Sequence, residues 1–211
     1  MQYFSISEIK EWDRFYRSNF INSLQGFKPV SLLGTLSEKG IPNFAIFSNI
    51  VHIGADPALI GFINRPIEAA PHTIQNIERT CEYTINHIQA SFVAAAHQTS
   101  AKYLADQNEF LETGLNTFFI ENLKAPFVAQ SDIKYGLELV EIVPITHNNT
   151  FLVIGSITHV LLKEGLVQQD GFIDANKAQT VTSLGLDGYY STEPIARFEY
   201  AKPGKELKKI S

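Results

Sequence analysis

Gly34–Ser48 reads GTLSEKGIPNFAIFS, two β-strands joined at Glu38-Lys39-Gly40. The second strand alternates, with Asn43, Ala45 and Phe47 on one face and Phe44, Ile46 and Ser48 on the other. One face thus offers an amide, a methyl-sized gap and an aromatic ring. A flat polar heterocycle needs such a surface: small residues for close approach, an aromatic wall and a few hydrogen-bonding groups. The same pattern also suits an ordinary core hairpin with Asn43 hydrogen-bonded at its mouth. Asn43 and Ser48 alternate to opposite faces. They can share one ligand only if the strand twists, bulges or ends near Phe47.

The 211 residues are 45% hydrophobic and 18% charged, enough to bury a core in one β-rich domain. The net charge of −5 argues against nucleic acid or an anionic membrane as a partner. Cys81 is the sole cysteine, which leaves no disulfide within the chain and no CxxC pair. A reduced compartment is expected. The start, MQYFSISEIKEW, lacks a basic stretch followed by an apolar one, and no apolar run approaches the roughly 18 residues of a membrane span. A soluble, cytoplasmic protein is the expectation.

Outward from the opening hairpin, the pattern predicts helices and strands in turn. Ser5-Ile6-Ser7-Glu8 has capping-box spacing, with Phe4 and Ile9 placed for a hydrophobic staple. A helix over about 5–24 follows, with Trp12, Phe15, Tyr16 and Phe20 at helical spacing; it reads as a packing helix, closed by Gly26 and Pro29. Strands are expected at Val30–Ser37, Asn43–Val51, Ala58–Ile63 and Glu82–Ile88, and short helices at Ile74–Arg79 and Ser91–His97. The stretch Gln98–Ser131 reads as irregular. Two long strands, Lys134–Thr146 and Thr150–Leu162, flank a turn at His147-Asn148-Asn149. A last strand is expected near Arg197–Tyr200, then a solvated tail from about 203 to 211. With no repeat and no composition break, residues 1–211 read as a single domain, a β-barrel with helical decoration.

None of the six histidines forms an HExxH pair, and GxSxG, GxxxxGK[ST] and GxGxxG motifs are absent. Arg65-Pro66 follows a predicted strand, and Pro71-His72-Thr73 opens a helix. Such an arginine beside a hydroxyl and free N–H groups suits a phosphate. Pairing of Arg65 with Glu68 on the surface is the alternative. The run His97-Gln98-Thr99-Ser100-Ala101-Lys102-Tyr103 is either a solvated helix end or a polar rim around a bound ring.

Taken together, GTLSEKGIPNFAIFSNIVHIGADPALIGFINRP, HTIQNIERTCEYTINH, AHQTSAKY, GLDGYY and FEYAKP resemble the flavin reductase-like family of FMN-binding split barrels, flavoredoxins among them. The resemblance runs through nearly the whole chain, in order. It implies a mainly β fold: a six-stranded split β-barrel with an N-terminal helix and short peripheral helices. It implies a homodimer with FMN near the subunit interface. By the same resemblance Asn43, Ala45, Phe47, Ser48, Asn49 and Ile50 line the isoalloxazine ring and Arg65 and Thr73 hold the phosphate. Asn86, His97, Ser100 and Lys102 match more loosely.

The residues agree with that implication. Flavin chemistry needs no side-chain nucleophile, because the cofactor carries the reaction. No catalytic side chain and no metal ligand are therefore expected. Three functions stay open from sequence: a flavin oxidoreductase drawing on NADH or NADPH, a non-enzymatic FMN electron carrier, and a split barrel that binds something other than flavin.

Overall fold

The computed structural model describes residues 1–69, 71–101 and 113–211. Two helices open the chain, α1 (Ile6–Glu11) and α2 (Arg14–Leu24). Strands β1 (Lys28–Pro29), β2 (Ser31–Leu36), β3 (Pro42–Phe47), β4 (Ile50–Ala55) and β5 (Ala58–Asn64) follow, then α3 (Pro71–Thr80) and β6 (Glu82–His87). After a 3₁₀ turn at Ala90–Phe92 come α4 (Val93–Gln98), β7 (Thr117–Ile120) and β8 (Leu123–Val128). The long strands β9 (Ile133–Ile145) and β10 (Thr150–Leu162) precede β11 (Thr182–Leu184) and β12 (Gly188–Tyr190).

A seven-stranded sheet in the order β3-β2-β6-β9-β10-β5-β4 forms the body, with every neighbouring pair antiparallel. Its edges, β3 and β4, are consecutive in the chain and joined by Ser48-Asn49 alone. The expected single strand Asn43–Val51 is thus two strands, and the expected six-stranded sheet has seven. A three-stranded sheet β1-β11-β12 and the hairpin β7-β8 stand beside it.

Alternation along β2, β3 and β6 sorts apolar side chains into two clusters, one on each face. One gathers Leu33, Phe62, Ile74, Ile77, Tyr83, Ile85, Leu137 and Val153. The other gathers Val30, Leu32, Phe44, Ile88, Phe92, Ala96, Leu115, Val128 and Val181. Helix α3 closes over the first by packing on β2, β3 and β6, with Ile74 and Ile77 buried and Gln75, Glu78 and Arg79 exposed.

The expected first helix breaks at Trp12-Asp13. Trp12 is extended (φ −69°, ψ 156°), and the Asp13 carboxylate accepts the Phe15 and Tyr16 N–H groups at 2.9 and 3.2 Å, starting α2. Those bonds, Tyr16's foremost, hold the Asp13 carboxyl below its usual range. Ser5 caps α1 through the Glu8 N–H at 3.2 Å. Phe4 packs edge-on to Trp12 and Phe20, with centroids 5.3 and 5.5 Å apart. No residue of α2 is buried.

Three other expectations are corrected. The stretch Gln98–Ser131 holds the β7-β8 hairpin. Strand β8 crosses β2 and β6, fastened by the Thr84 hydroxyl to the Pro126 carbonyl at 2.5 Å and by the Val128 N–H to the Asn86 amide oxygen at 2.9 Å. The strand expected near Arg197–Tyr200 is reduced to one bridge, Phe198 to Lys209. The tail after Pro203 is exposed but folds back, the Ile210 N–H reaching the Arg197 carbonyl at 2.8 Å. Arg197 anchors this arm through Asp170 at 2.6 Å, Gln168 at 2.8 Å and the Phe172 ring at 3.9 Å. Residues 197–211 hold five of the 17 basic residues and two of the 22 acidic ones.

Two buried contacts make testable demands. Gly155 sits where a Cβ would strike the Tyr83 hydroxyl, and Tyr83 is 0% exposed with that hydroxyl unpartnered among the described residues. Gly155→Ala should lower stability by about 1–3 kcal/mol through overpacking, read as a fall in thermal midpoint. Adding Tyr83→Phe should recover part of the loss, because it removes the closest clash and an unpaired buried polar atom while the ring carbons remain in the way.

His87 lies half-buried at the end of β6 with Nδ1 enclosed and unpartnered among the described residues, its ring centroid 6.2 Å from that of Tyr135. Burial lowers its pKa from 6.5 to about 4. The unfolded chain therefore takes up the proton first as pH falls. Stability should decline between pH 6.5 and 4, by on the order of 1 kcal/mol per unit. Urea titrations across that range should show a shallower decline for His87→Phe.

Candidate functional site

Strand β3 ends at Phe47, as sharing of a ligand by Asn43 and Ser48 requires. Every residue from Asn43 to Ile50 except Phe44 is half-buried, an intermediate exposure that suits a ligand-covered seam. The β2-β3 register sets Thr35 opposite Asn43 and Leu33 opposite Ala45.

The Asn43–Ala45–Phe47 face looks toward α3. Phe47 packs on the first cluster, with the Phe62 ring centroid at 5.0 Å. The Thr35 hydroxyl accepts from the Asn76 amide of α3 at 3.0 Å and from the Asn43 amide at 3.5 Å. Asn76 lies one turn along α3 from Thr73, which is 4% exposed. Among the described residues the Thr73 hydroxyl has no hydrogen-bond partner. Arg65 projects from the end of β5 into solvent and, among the described residues, forms no ion pair, so the Glu68 pairing is not made. Asn43, Ala45, Phe47 and Thr73 thus border one side of β3.

The polar rim stands on the other side. Ile46 packs on the second cluster, which includes Ala96 of α4 and has Tyr189 against it. His97 Nδ1 lies 2.8 Å from the Tyr189 hydroxyl, and their rings meet edge-on. Burial, then the charge of Asp187, pushes the Tyr189 phenol up, so it stays protonated at neutral pH. Ser100 is exposed beyond the end of α4. Lys102 lies outside the described residues. Because β3 is an edge strand, the two groups lie on opposite sides of a free edge that ends at Ser48.

Asn86, a looser match, and Asn49, an expected ring contact, both make hydrogen bonds within the scaffold. Asn86 is 0% exposed, its amide donating to the Leu32 carbonyl at 3.1 Å and the Thr84 hydroxyl at 2.9 Å while accepting from Val128. All of its side chain is spoken for within the fold. The Asn49 amide donates to the Ile63 carbonyl at 2.9 Å, with its oxygen enclosed. Ile50 packs on the first cluster. Sequence reading missed Thr35, Asn76 and Tyr189. Only the i, i+3 spacing of Thr73 and Asn76 offered a local signal.

The described residues hold no group of three or more metal-ligating side chains. No helix among them is long and apolar enough to cross a membrane.

Comparison with known proteins follows this geometry. The family described as flavin reductase like domain matches residues 27–181. A split-barrel protein of Shewanella frigidimarina NCIMB 400, assigned provisionally as a flavin reductase, is 43% identical, with 95% of this chain and 100% of that one covered at a TM-score of 0.92. Nitrilotriacetate monooxygenase component B from Bacillus cereus superposes with a TM-score of 0.82 at 20% identity, covering 93% and 98% of the two chains. Flavoredoxin of Desulfovibrio vulgaris (Miyazaki F) does so with 0.74 at 22%, covering 85% and 94%. The last two likenesses concern the fold alone.

Proposed function

The chain belongs to the flavin reductase-like domain family, and from that membership we propose that it binds FMN and transfers reducing equivalents from NADH or NADPH. The observation that carries this reading is the half-buried seam Asn43–Ile50, bordered by α3 and ending near Arg65. Its residues fit a phosphorylated flat ring. Ala45 leaves room for close approach, Phe47 supplies a wall, and Asn43 and Ser48 supply hydrogen-bonding groups. Arg65 and the Thr73 hydroxyl are uncommitted among the described residues, which is what a phosphate requires.

When bound, FMN would accept a hydride equivalent and pass electrons onward, chemistry that belongs to the cofactor. This chain's residues bind and orient. Arg65 fixes the phosphate with a bidentate fork. Asn43 and Ser48 offer hydrogen bonds to the polar edge of the ring, Ala45 sets its distance from the strand, and Phe47 screens one border from water. His97 and Ser100 would supply the polar rim on the other face, with Tyr189 holding His97 in place. An open seam lets the pyridine nucleotide approach the ring directly, since the chain has no GxGxxG loop.

The reading includes a homodimer. Helix α2 buries none of its residues, and Phe15, Tyr16 and Leu24 are 75, 61 and 66% exposed. Such an aromatic face asks for a partner, and a second copy would cover it. Sedimentation at micromolar concentration should show a dimer, and a monomer would count against this assembly.

The decisive experiment has two steps. Purified protein should carry or take up FMN, with Arg65→Ala weakening the affinity roughly 30–150-fold through loss of a charge-assisted pair. NADH or NADPH added without oxygen should then bleach the flavin band. Bleaching by dithionite but by neither nucleotide would mark an electron carrier instead of a reductase.

A further inference from the structure

The end of β5 is held in an unusual way. Strand β4 pairs with β5 only as far as Ile50 opposite Phe62. One residue further on, the backbone partner is replaced by a side chain, as the Asn49 amide donates to the Ile63 carbonyl at 2.9 Å. Asn64, 0% exposed, then donates its own amide to the Arg65 carbonyl at 2.8 Å. The carbonyls on both sides of Asn64 are therefore gripped by side-chain amides.

Both amides give only their donor half. The Asn49 and Asn64 oxygens are enclosed and unpartnered among the described residues. Flipping either amide would set oxygen against a carbonyl oxygen, so the orientation follows from the partner. Two enclosed acceptors without partners reduce stability. Two amides that cost stability in this way suit a task other than strengthening the fold. The Asn49 amide nitrogen is engaged by the Ile63 carbonyl and its oxygen is enclosed.

We propose that Asn49 and Asn64 are positioning residues for Arg65. Their two bonds set the path by which the chain leaves β5, and so aim the guanidinium at the phosphate of FMN. Asn49 follows Ser48 directly, so the same bond ties the seam to the phosphate arginine and fixes the spacing between ring and phosphate. This inference rests on the function proposed above.

The test compares FMN with riboflavin, which lacks the phosphate, by fluorescence quenching of the full-length protein. Asn49→Ala and Asn64→Ala should each lower FMN affinity roughly tenfold, the scale of one lost hydrogen bond to a positioned group, and leave riboflavin affinity unchanged. In an Arg65→Ala background neither change should weaken FMN further. Equal loss for both flavins, loss that persists without Arg65, or no loss in either variant would overturn the proposal. Asn49 is half-buried, so Asn49→Ala decides the matter if Asn64→Ala does not fold. Unchanged FMN affinity in Arg65→Ala alone would instead overturn the phosphate assignment itself, and this proposal with it.

Discussion

Ser48 and Asn49 are the two residues on which the architecture turns. They alone join the two edges of a seven-stranded sheet. Laid flat, such a sheet is roughly 29 Å wide at about 4.8 Å per strand. Three peptide steps separate Phe47 from Ile50 and reach at most about 11 Å. The sheet must therefore roll until its edges approach. Six antiparallel steps also leave β3 and β4 running in the same sense, so the chain passes from one edge to the other without reversing. The edges are brought together without being laddered, and that gap is the split in the barrel.

The split is also where the candidate chemistry gathers. Along β3, alternation sends Asn43, Ala45 and Phe47 toward α3 and Phe44 and Ile46 toward α4 and Tyr189. Because β3 is the edge of the sheet and ends at Phe47, the two groups meet across a free edge. A closed barrel of the same strands would hide the groups on its inner face from solvent.

Much of this was legible because it is local. Glu38-Lys39-Gly40 marked the first hairpin, His147-Asn148-Asn149 the second, and the Ile74/Ile77 spacing marked α3. The need for an irregularity near Phe47 was legible from the opposite facing of Asn43 and Ser48, but the division into two strands was not, because the chain continues in one direction through it and the hydrophobic alternation hardly changes. Strand β8 was hidden for another reason. Pro126 argues against a strand in sequence, yet its carbonyl is held by Thr84 and the Val128 N–H by Asn86, residues some forty positions away. Asn86 was read as a ligand group for the same reason: nothing near it in sequence shows that its amide is already occupied. Phe15, Tyr16 and Phe20 were correctly read as helical, whereas Trp12 is extended. The carboxylate of Asp13, a strong N-cap, starts a second helix where one had been expected.

The arm closed by Arg197 has an electrostatic consequence. With five basic and two acidic residues, 197–211 carry +3, which leaves −8 on the rest of a chain whose net charge is −5. The molecule is therefore polarised, and its sign depends on the side from which it is approached. Beyond a Debye length, about 10 Å at 0.1 M salt, the net charge read from composition is largely screened. Closer in, an anionic body meets attraction over the arm and repulsion elsewhere, so orientation is selected before contact. Because Asp170 neutralises Arg197 at the root of the arm, the uncompensated charge sits toward its lysine-bearing end.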